Sequence, residues 1–229
     1  MTITKETTVA DIATAAPGTI RIFKDREIDF CCGGKRSLAD ACAEHHLDVD
    51  ALIGELRAAG SSGAPGEDWS AASLAELTAH IRHHYHAALR RDLPWLGQML
   101  IKVVNRHGTA HPETLELQEV FNALHVDMLH HMQKEDTSVF PAVVALEQGR
   151  HRPDPVDDWI SALEDDHEET SHALARMREL TGGYETPPDA CPTFRGLYHG
   201  LSELDRDLRV HVHLENHVLF PRAAAMVRQ

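Results

Sequence analysis

Apolar residues recur at helical spacing through most of the chain. Leu89, Leu93, Leu96 and Leu100 follow one another at intervals of 4, 3 and 4, and His86 stands three residues upstream on the same line. Leu117, Val120, Leu124 and Met128 form a second stripe, continued by His131 and Glu135. A third runs through Ile160, Leu163, His167, Leu174 and Met177. The fourth is the most regular: Phe194, Leu197, Leu201, Leu204, Leu208, His211, Glu215 and Val218, with intervals of 3, 4, 3, 4, 3, 4 and 3. Such periods predict four long amphipathic helices with their apolar faces together. No strong alternating run of β-branched residues accompanies them, so the fold class is all-α.

Punctuation supports these elements. Ser73 followed by Glu76 is a capping box opening the first long segment. Pro94 is expected to bend that helix without ending it. The second segment begins after Pro112, and the third is expected to start at Asp154-Pro155, a cap followed by proline in the first turn. The turn-rich string TGGYETPPDACP precedes the fourth. GSSGAPGED, at 60–68, is the sharpest break in composition. The expected organisation is a small helical domain at 1–59, a flexible linker at 60–69, and a four-helix bundle at 70–229.

The fourth stripe raises a physical problem. His211 and Glu215 occupy positions that should be apolar, and a carboxylate in a bundle core costs several kcal/mol unless paired or metal-bound. The same arrangement occurs twice: HMQKEDTSVFP begins at His131 and HVHLENHVLFP at His211, 80 residues apart. The unpaired His86 and His167 are 81 apart. A histidine and a glutamate four residues apart on a helix share one face. Two such helices and two single-histidine helices would direct six donors inward, and imidazole with carboxylate suits first-row metals such as iron, manganese and zinc. The repeat carries no cysteine, which argues against structural zinc. Two carboxylates can bridge two ions about 3.5–4 Å apart. The candidate ligands are therefore His86, His131, Glu135, His167, His211 and Glu215, around two iron ions, with positions left open for an oxo bridge, dioxygen or nitric oxide.

With 18 histidines in the chain, a lone one carries little weight. His45, His46, His107, His111 and His151 are read as surface residues. His80, His83 and His84 crowd His86, which repeat spacing selects; His130, His213 and His217 lie off the seam. Asp127 and Asp166 are either carboxylates that orient ligands or members of solvated faces. In DFCCGGKRSLADAC, a bond between the adjacent Cys31 and Cys32 would be strained. Gly33-Gly34 is expected to turn the chain and Ser37 with Asp40 to cap a helix. A thiol near a helix start has a lowered pKa, so Cys31 and Cys32 are redox-active candidates, expected to be accessible; two small buried residues beside a turn is the other reading.

A formal charge of −14 argues against nucleic acid and anionic membrane partners. No stretch approaches the length of a membrane span, and the N-terminus does not read as a secretory signal. A cytoplasmic location with reduced thiols is the expectation.

From Ile22 to Leu56, with IDFCCGG followed by SLADAC, the chain resembles the small N-terminal domain of the iron–sulfur cluster repair di-iron proteins. The six-residue pattern with its two Phe-Pro endings resembles their hemerythrin-like domain, and the likeness extends from about residue 8 to 225. The resemblance implies a protein that restores clusters damaged by nitric oxide or peroxide, donating iron to damaged cluster proteins. It also implies that the four histidines bind iron, that the glutamates bridge, and that the cysteine pair takes part. Two rivals remain open at this point, an oxygen- or nitric-oxide-binding sensor and a di-iron nitric oxide reductase. A homodimer is left open as well.

Overall fold

The computed structural model describes residues 2–61, 69–150 and 156–227. Most of the expected linker, and the expected cap at Asp154-Pro155, lie outside the described residues, as does His151. Among the described residues the structure is helical, with one isolated antiparallel bridge between Thr8 and Ser37. The chain divides into two compact units, residues 1–77 with 209–229, and residues 78–208.

The first unit holds four short helices near the N-terminus: α1 (Val9–Ala15), α2 (Ile20–Asp25), α3 (Leu38–Glu44) and α4 (Val49–Ser61). Thr8 caps α1, its hydroxyl accepting from the Asp11 N–H at 3.1 Å, and Ser37 caps α3 through the Asp40 N–H at 3.1 Å. Phe23, Phe30, Leu38, Leu52 and Leu56 form its apolar core with Val9 and Ile12. Val210 packs against that core, so the end of the chain belongs to this unit. The capping box that opens α5 (Leu74–His80) is formed: the Ser73 N–H donates to Glu76 at 2.9 Å, and the Glu76 N–H to Ser73 Oγ at 3.1 Å.

In the second unit α6 (Ala87–His107) and α7 (Glu113–Lys134) pack with α9 (Val156–Leu180) and the first part of α10 (Pro192–Leu214) in a four-helix bundle. A short α8 (Phe140–Glu147) follows α7, and α11 (Phe220–Val227) ends the described chain. The four stripes read from the sequence meet here, since Leu93, Leu100, Leu117, Phe121, Met177, Leu197 and Leu208 share one buried cluster. Helix α6 continues through Pro94. Close approach of α6 and α10 depends on glycine, because a Cβ on Gly200 would stand 2.6 Å from a Leu96 methyl.

Among the described residues three π-turns interrupt the helices, at Ile81–His86, Glu135–Val139 and Glu215–Leu219. The last two begin at the repeated glutamates and end before Phe-Pro. The Phe140 N–H reaches the Glu135 carbonyl and the Phe220 N–H that of Glu215, each one residue farther than in an α-helix. A proline inside a regular helix clashes with the carbonyl four residues back, and a widened turn ahead of Pro141 and Pro221 relieves that clash.

Candidate metal centre

Four of the expected ligands lie in the second unit, all buried. The Glu135 carboxylate is their focus: its Oε2 is 3.3 Å from His86 Nε2 and 3.2 Å from His131 Nε2. His167 Nε2 is 3.2 Å from His131 Nε2. The other nitrogen of two of these rings is already committed. His86 Nδ1 is 3.0 Å from Asp136 Oδ1, and His131 Nδ1 is 3.3 Å from Asp166 Oδ2. A carboxylate only accepts, so each Nδ1 carries a proton, and Nε2 is the nitrogen turned inward, with a lone pair to offer when the ring is neutral. The inward Nε2 atoms of His86 and His131 thus stand 3.2–3.3 Å from the Glu135 carboxylate and, for His131, from the His167 ring, spacings that a shared proton or a metal ion between them accounts for. Two donors about 2.1 Å from one ion and about 100° apart are themselves about 3.2 Å apart, so the spacing fits a metal.

In the first unit His211 and Glu215, both buried, stand one turn apart, with Nε2 and Oε1 2.8 Å from each other. The buried donors form two groups able to hold a metal ion, one including His86 and Glu135, the other His131, Glu135 and His167. Their ligand atoms lie within 4.8 Å of one another, and Glu135 belongs to both groups. Of the crowded histidines, His86 is buried while His83 and His84 are exposed.

Asp136 has no counterpart among the residues singled out from the sequence. Besides orienting His86 it receives Arg90 at 2.6 Å and Arg82 at 3.1 Å. Burial works against its ionisation, but Arg90, His86 and Arg82 together hold its carboxyl below the usual range. The only sequence signal is its place beside Glu135. Asp166, one of the two aspartates considered, does orient a ligand ring: the His131 contact, with Lys134 at 2.8 Å, brings its pKa down to about 2. Asp127 is exposed. His45, His107 and His111 are half-buried rather than surface residues. His111 sits between Glu113 and Asp189, and His107 Nε2 is 3.3 Å from Cys191 Sγ.

The cysteine loop differs from expectation in two respects. Cys31 is only 3% exposed, so accessibility falls to the half-buried Cys32. Its thiol is also pushed well above 9 rather than lowered, by hydrogen bonding with Cys32, by burial and by the charge of Asp29. The helix that follows starts only after Ser37, too far along to act on either thiol. Both are free. Asp29 organises the turn, accepting from the N–H groups of Cys31, Cys32 and Gly33 at 2.9, 3.1 and 2.9 Å and from Cys31 Sγ at 3.1 Å. Gly34 is needed for close approach, since a Cβ there would meet the Phe30 carbonyl oxygen at 2.5 Å and the Ala10 Cβ at 2.9 Å. His213 and His217, off the seam, bond this loop: His213 Nδ1 donates to the Phe30 carbonyl at 3.0 Å and His217 Nε2 to that of Cys31 at 2.5 Å.

Comparison with known proteins matches the hemerythrin HHE cation-binding domain to residues 79–223. The N-terminal domain of ScdA, described as a domain of unknown function, matches residues 5–60. The iron–sulfur cluster repair protein ScdA of Staphylococcus haemolyticus is 38% identical over 218 residues, covering 95% of this chain and 98% of that protein. The chain belongs to the iron–sulfur cluster repair family. Within that family the ScdA of Staphylococcus epidermidis (strain ATCC 12228) is 35% identical over 227 residues, 97% of this chain and 100% of its own length. The repair protein YtfE of Salmonella newport is 35% identical over 218 residues, 95% of this chain and 96% of its own. Among the described residues of this family member no helix is long and apolar enough to cross a membrane.

Proposed function

We propose that this protein repairs iron–sulfur clusters damaged by nitrosative or oxidative stress, and that it does so by donating iron from a dinuclear centre. The observation that carries the reading is the convergence of buried imidazole nitrogens on the Glu135 carboxylate, a donor set able to hold a metal ion, in a chain whose relatives are named repair proteins. In this reading His86, His131, Glu135, His167, His211 and Glu215 would hold the two ions, with the two glutamates as the carboxylates shared between them. The domains are a small module at 1–59 and the metal-binding bundle at 70–229, joined through 60–69, in a cytoplasmic protein.

When bound, iron supplies the transferable metal and a site for small ligands such as nitric oxide or oxygen. The chain's own residues set how firmly it is held. Asp136 and Asp166 keep the protons of His86 and His131 on the outward nitrogens. Only two carboxylates offset the charge of two ions, and ferrous iron stands near the weak end of the divalent series for such donors. A reduced centre of this kind releases iron more readily than a carboxylate-rich store.

Metal analysis with Mössbauer spectra of the purified protein tests the centre, with two irons per chain expected. His131→Ala, His211→Ala, Glu135→Ala and Glu215→Ala should each lose iron or change its spectrum, and four unchanged variants would refute the ligand set. For the function, iron-loaded protein is incubated anaerobically with reductant and a nitric-oxide-damaged cluster enzyme. Client activity should recover as iron leaves. Iron that stays bound while the protein reversibly takes up oxygen or nitric oxide would put the sensor reading in its place, and catalytic turnover of nitric oxide the reductase reading.

A further inference from the structure

His213 and His217 share α10 and its π-turn with two proposed ligands, yet neither belongs to the ligand set. Both reach the loop that carries Cys31 and Cys32. Residues two apart on a helix project to nearly opposite sides, so His211 and Glu215 present one face of this turn while His213 and His217 present another. His213 is 1% exposed and held at both ring nitrogens. Its Nδ1 donates to the Phe30 carbonyl at 3.0 Å, and its Nε2 is 3.4 Å from the Thr14 hydroxyl. His217 Nε2 donates to the Cys31 carbonyl at 2.5 Å. The two carbonyls flank the Cys31 residue on either side.

The loop is therefore fastened from two directions. Asp29 takes the N–H groups of Cys31, Cys32 and Gly33, and the helix takes the carbonyls of Phe30 and Cys31. Loop carbonyls ordinarily find water or local turn partners. Here they depend on side chains that also lie within two residues of proposed metal ligands, on a stiff helical turn. A shift of that turn moves both donors together, and hydrogen bonds weaken steeply once geometry departs from a narrow range.

We propose that His213 and His217 are positioning residues that couple metal occupancy at His211 and Glu215 to the exposure and reactivity of the Cys31–Cys32 pair. The coupling rests on the ligand assignment proposed above. A loaded centre draws His211 and Glu215 onto the ion, fixes the turn and fixes the loop. An emptied centre releases the turn and, through the two histidines, the thiols. The cysteine pair thus reports whether iron is present, which is what a donor needs at the moment of transfer.

The test is alkylation of the full-length protein by iodoacetamide, metal-free and iron-loaded, followed at each cysteine by mass spectrometry, with iron measured on the same samples. In the natural protein Cys31 and Cys32 should label faster without metal by about fivefold, the weight of one net hydrogen bond, while Cys191 is unchanged. The double variant His213→Ala with His217→Ala should keep iron and lose the difference, labelling fast in both states. His213→Asn with His217→Gln, which place an amide donor near the original Nδ1 and Nε2, should restore it; a merely space-filling role would not be rescued in this way. Should the double alanine variant fail to fold, His217→Ala alone is the next reading, with a reduced difference expected. An iron-loaded alanine variant with the full difference overturns the coupling, as does natural protein whose labelling ignores iron. A natural chain that binds no iron overturns the ligand assignment, and the coupling falls with it.

Discussion

Asp136 and Asp166 do the same work on two different rings. Each accepts from the Nδ1–H of a buried histidine, and each is held ionised by cations outside, Arg90 and Arg82 for the first and Lys134 for the second. Removing such a partner frees the ring to flip or change tautomer, which typically weakens metal binding by about 10–100-fold. Asp136→Ala and Asp166→Ala should therefore lose iron to a competing chelator in that range, with Asp127→Ala as the unaffected control. Equal retention by all three would show that ring orientation is set by packing alone. The ligands were legible because a repeat singled them out of 18 histidines. Asp136 was not, because an orienting carboxylate stands beside the apolar line rather than on it, where polar residues are expected anyway. The state of Cys31 was hidden for a similar reason. A Cys-Cys string names a chemistry but not its burial, and burial with the Asp29 charge reverses the expected direction of the thiol's pKa. An unfolded chain ionises this thiol near 9.0 and the folded one only well above that. The unfolded state then sheds its proton first, so the contribution to stability is complete below pH 9 and declines as pH rises past it. Urea unfolding at pH 8 and pH 10 should show a larger loss for the natural protein than for Cys31→Ala. Parallel losses would contradict the assigned cause.

At the scale of elements, helix identity followed from period and caps, and the four stripes meet where a 3.6-residue repeat says they should. The π-turns did not follow from period. A single extra residue in a turn shifts the register by about 100°, yet the seam through Glu215 and Val218 still reads as a continuous series of threes and fours. The Phe-Pro ending of each repeat was the available clue, and its meaning lies in the clash that proline creates. Two glycines on the facing helices α6 and α10 show how packing decides a sign that propensity cannot. In a helix interior alanine is favoured over glycine by about 1 kcal/mol. At Gly97 a new Cβ would meet a Phe121 ring carbon at 3.5 Å, an ordinary contact. Gly97→Ala should thus stabilise by roughly 0.5–1 kcal/mol. At Gly200 the new Cβ would stand 2.6 Å from the methyl of buried Leu96, and overpacking of that kind costs about 1–3 kcal/mol. Gly200→Ala should therefore be neutral to destabilising by up to about 2 kcal/mol. A raised denaturation midpoint for Gly97→Ala and an unchanged or lowered one for Gly200→Ala are the expected results, and a stabilised Gly200→Ala would mean that α6 and α10 separate more easily than Leu96 suggests.

At the scale of the whole molecule, the composition break at 60–68 reads as a divider, and a divider suggests two pieces that part when it is cut. The contacts on either side of it predict something else. Residues 209–229 belong to the same compact unit as residues 1–77. Across a cut in 62–68, Val210 still packs on the N-terminal core, His213 still bonds Phe30 and contacts Thr14, and His217 still bonds Cys31. Each net hydrogen bond contributes about 1 kcal/mol, and burial of an aliphatic side chain such as that of Val210 about 1.5–3 kcal/mol. These terms are small singly, but together with the rest of the shared apolar core they are set against the translational and rotational entropy that the cut halves gain on parting. Sequence pattern could not reveal this, because off-seam histidines on a helix look like solvated residues until their partners are known. With a protease site placed in 62–68 and cleaved to completion, the two fragments should elute together on gel filtration in native buffer and separate only in denaturant. His213→Ala with His217→Ala should weaken the association and let the small fragment dissociate on dilution. Release of a folded fragment from the natural protein, with iron retained on the larger piece, would establish two independent modules and make the shared unit a matter of proximity alone.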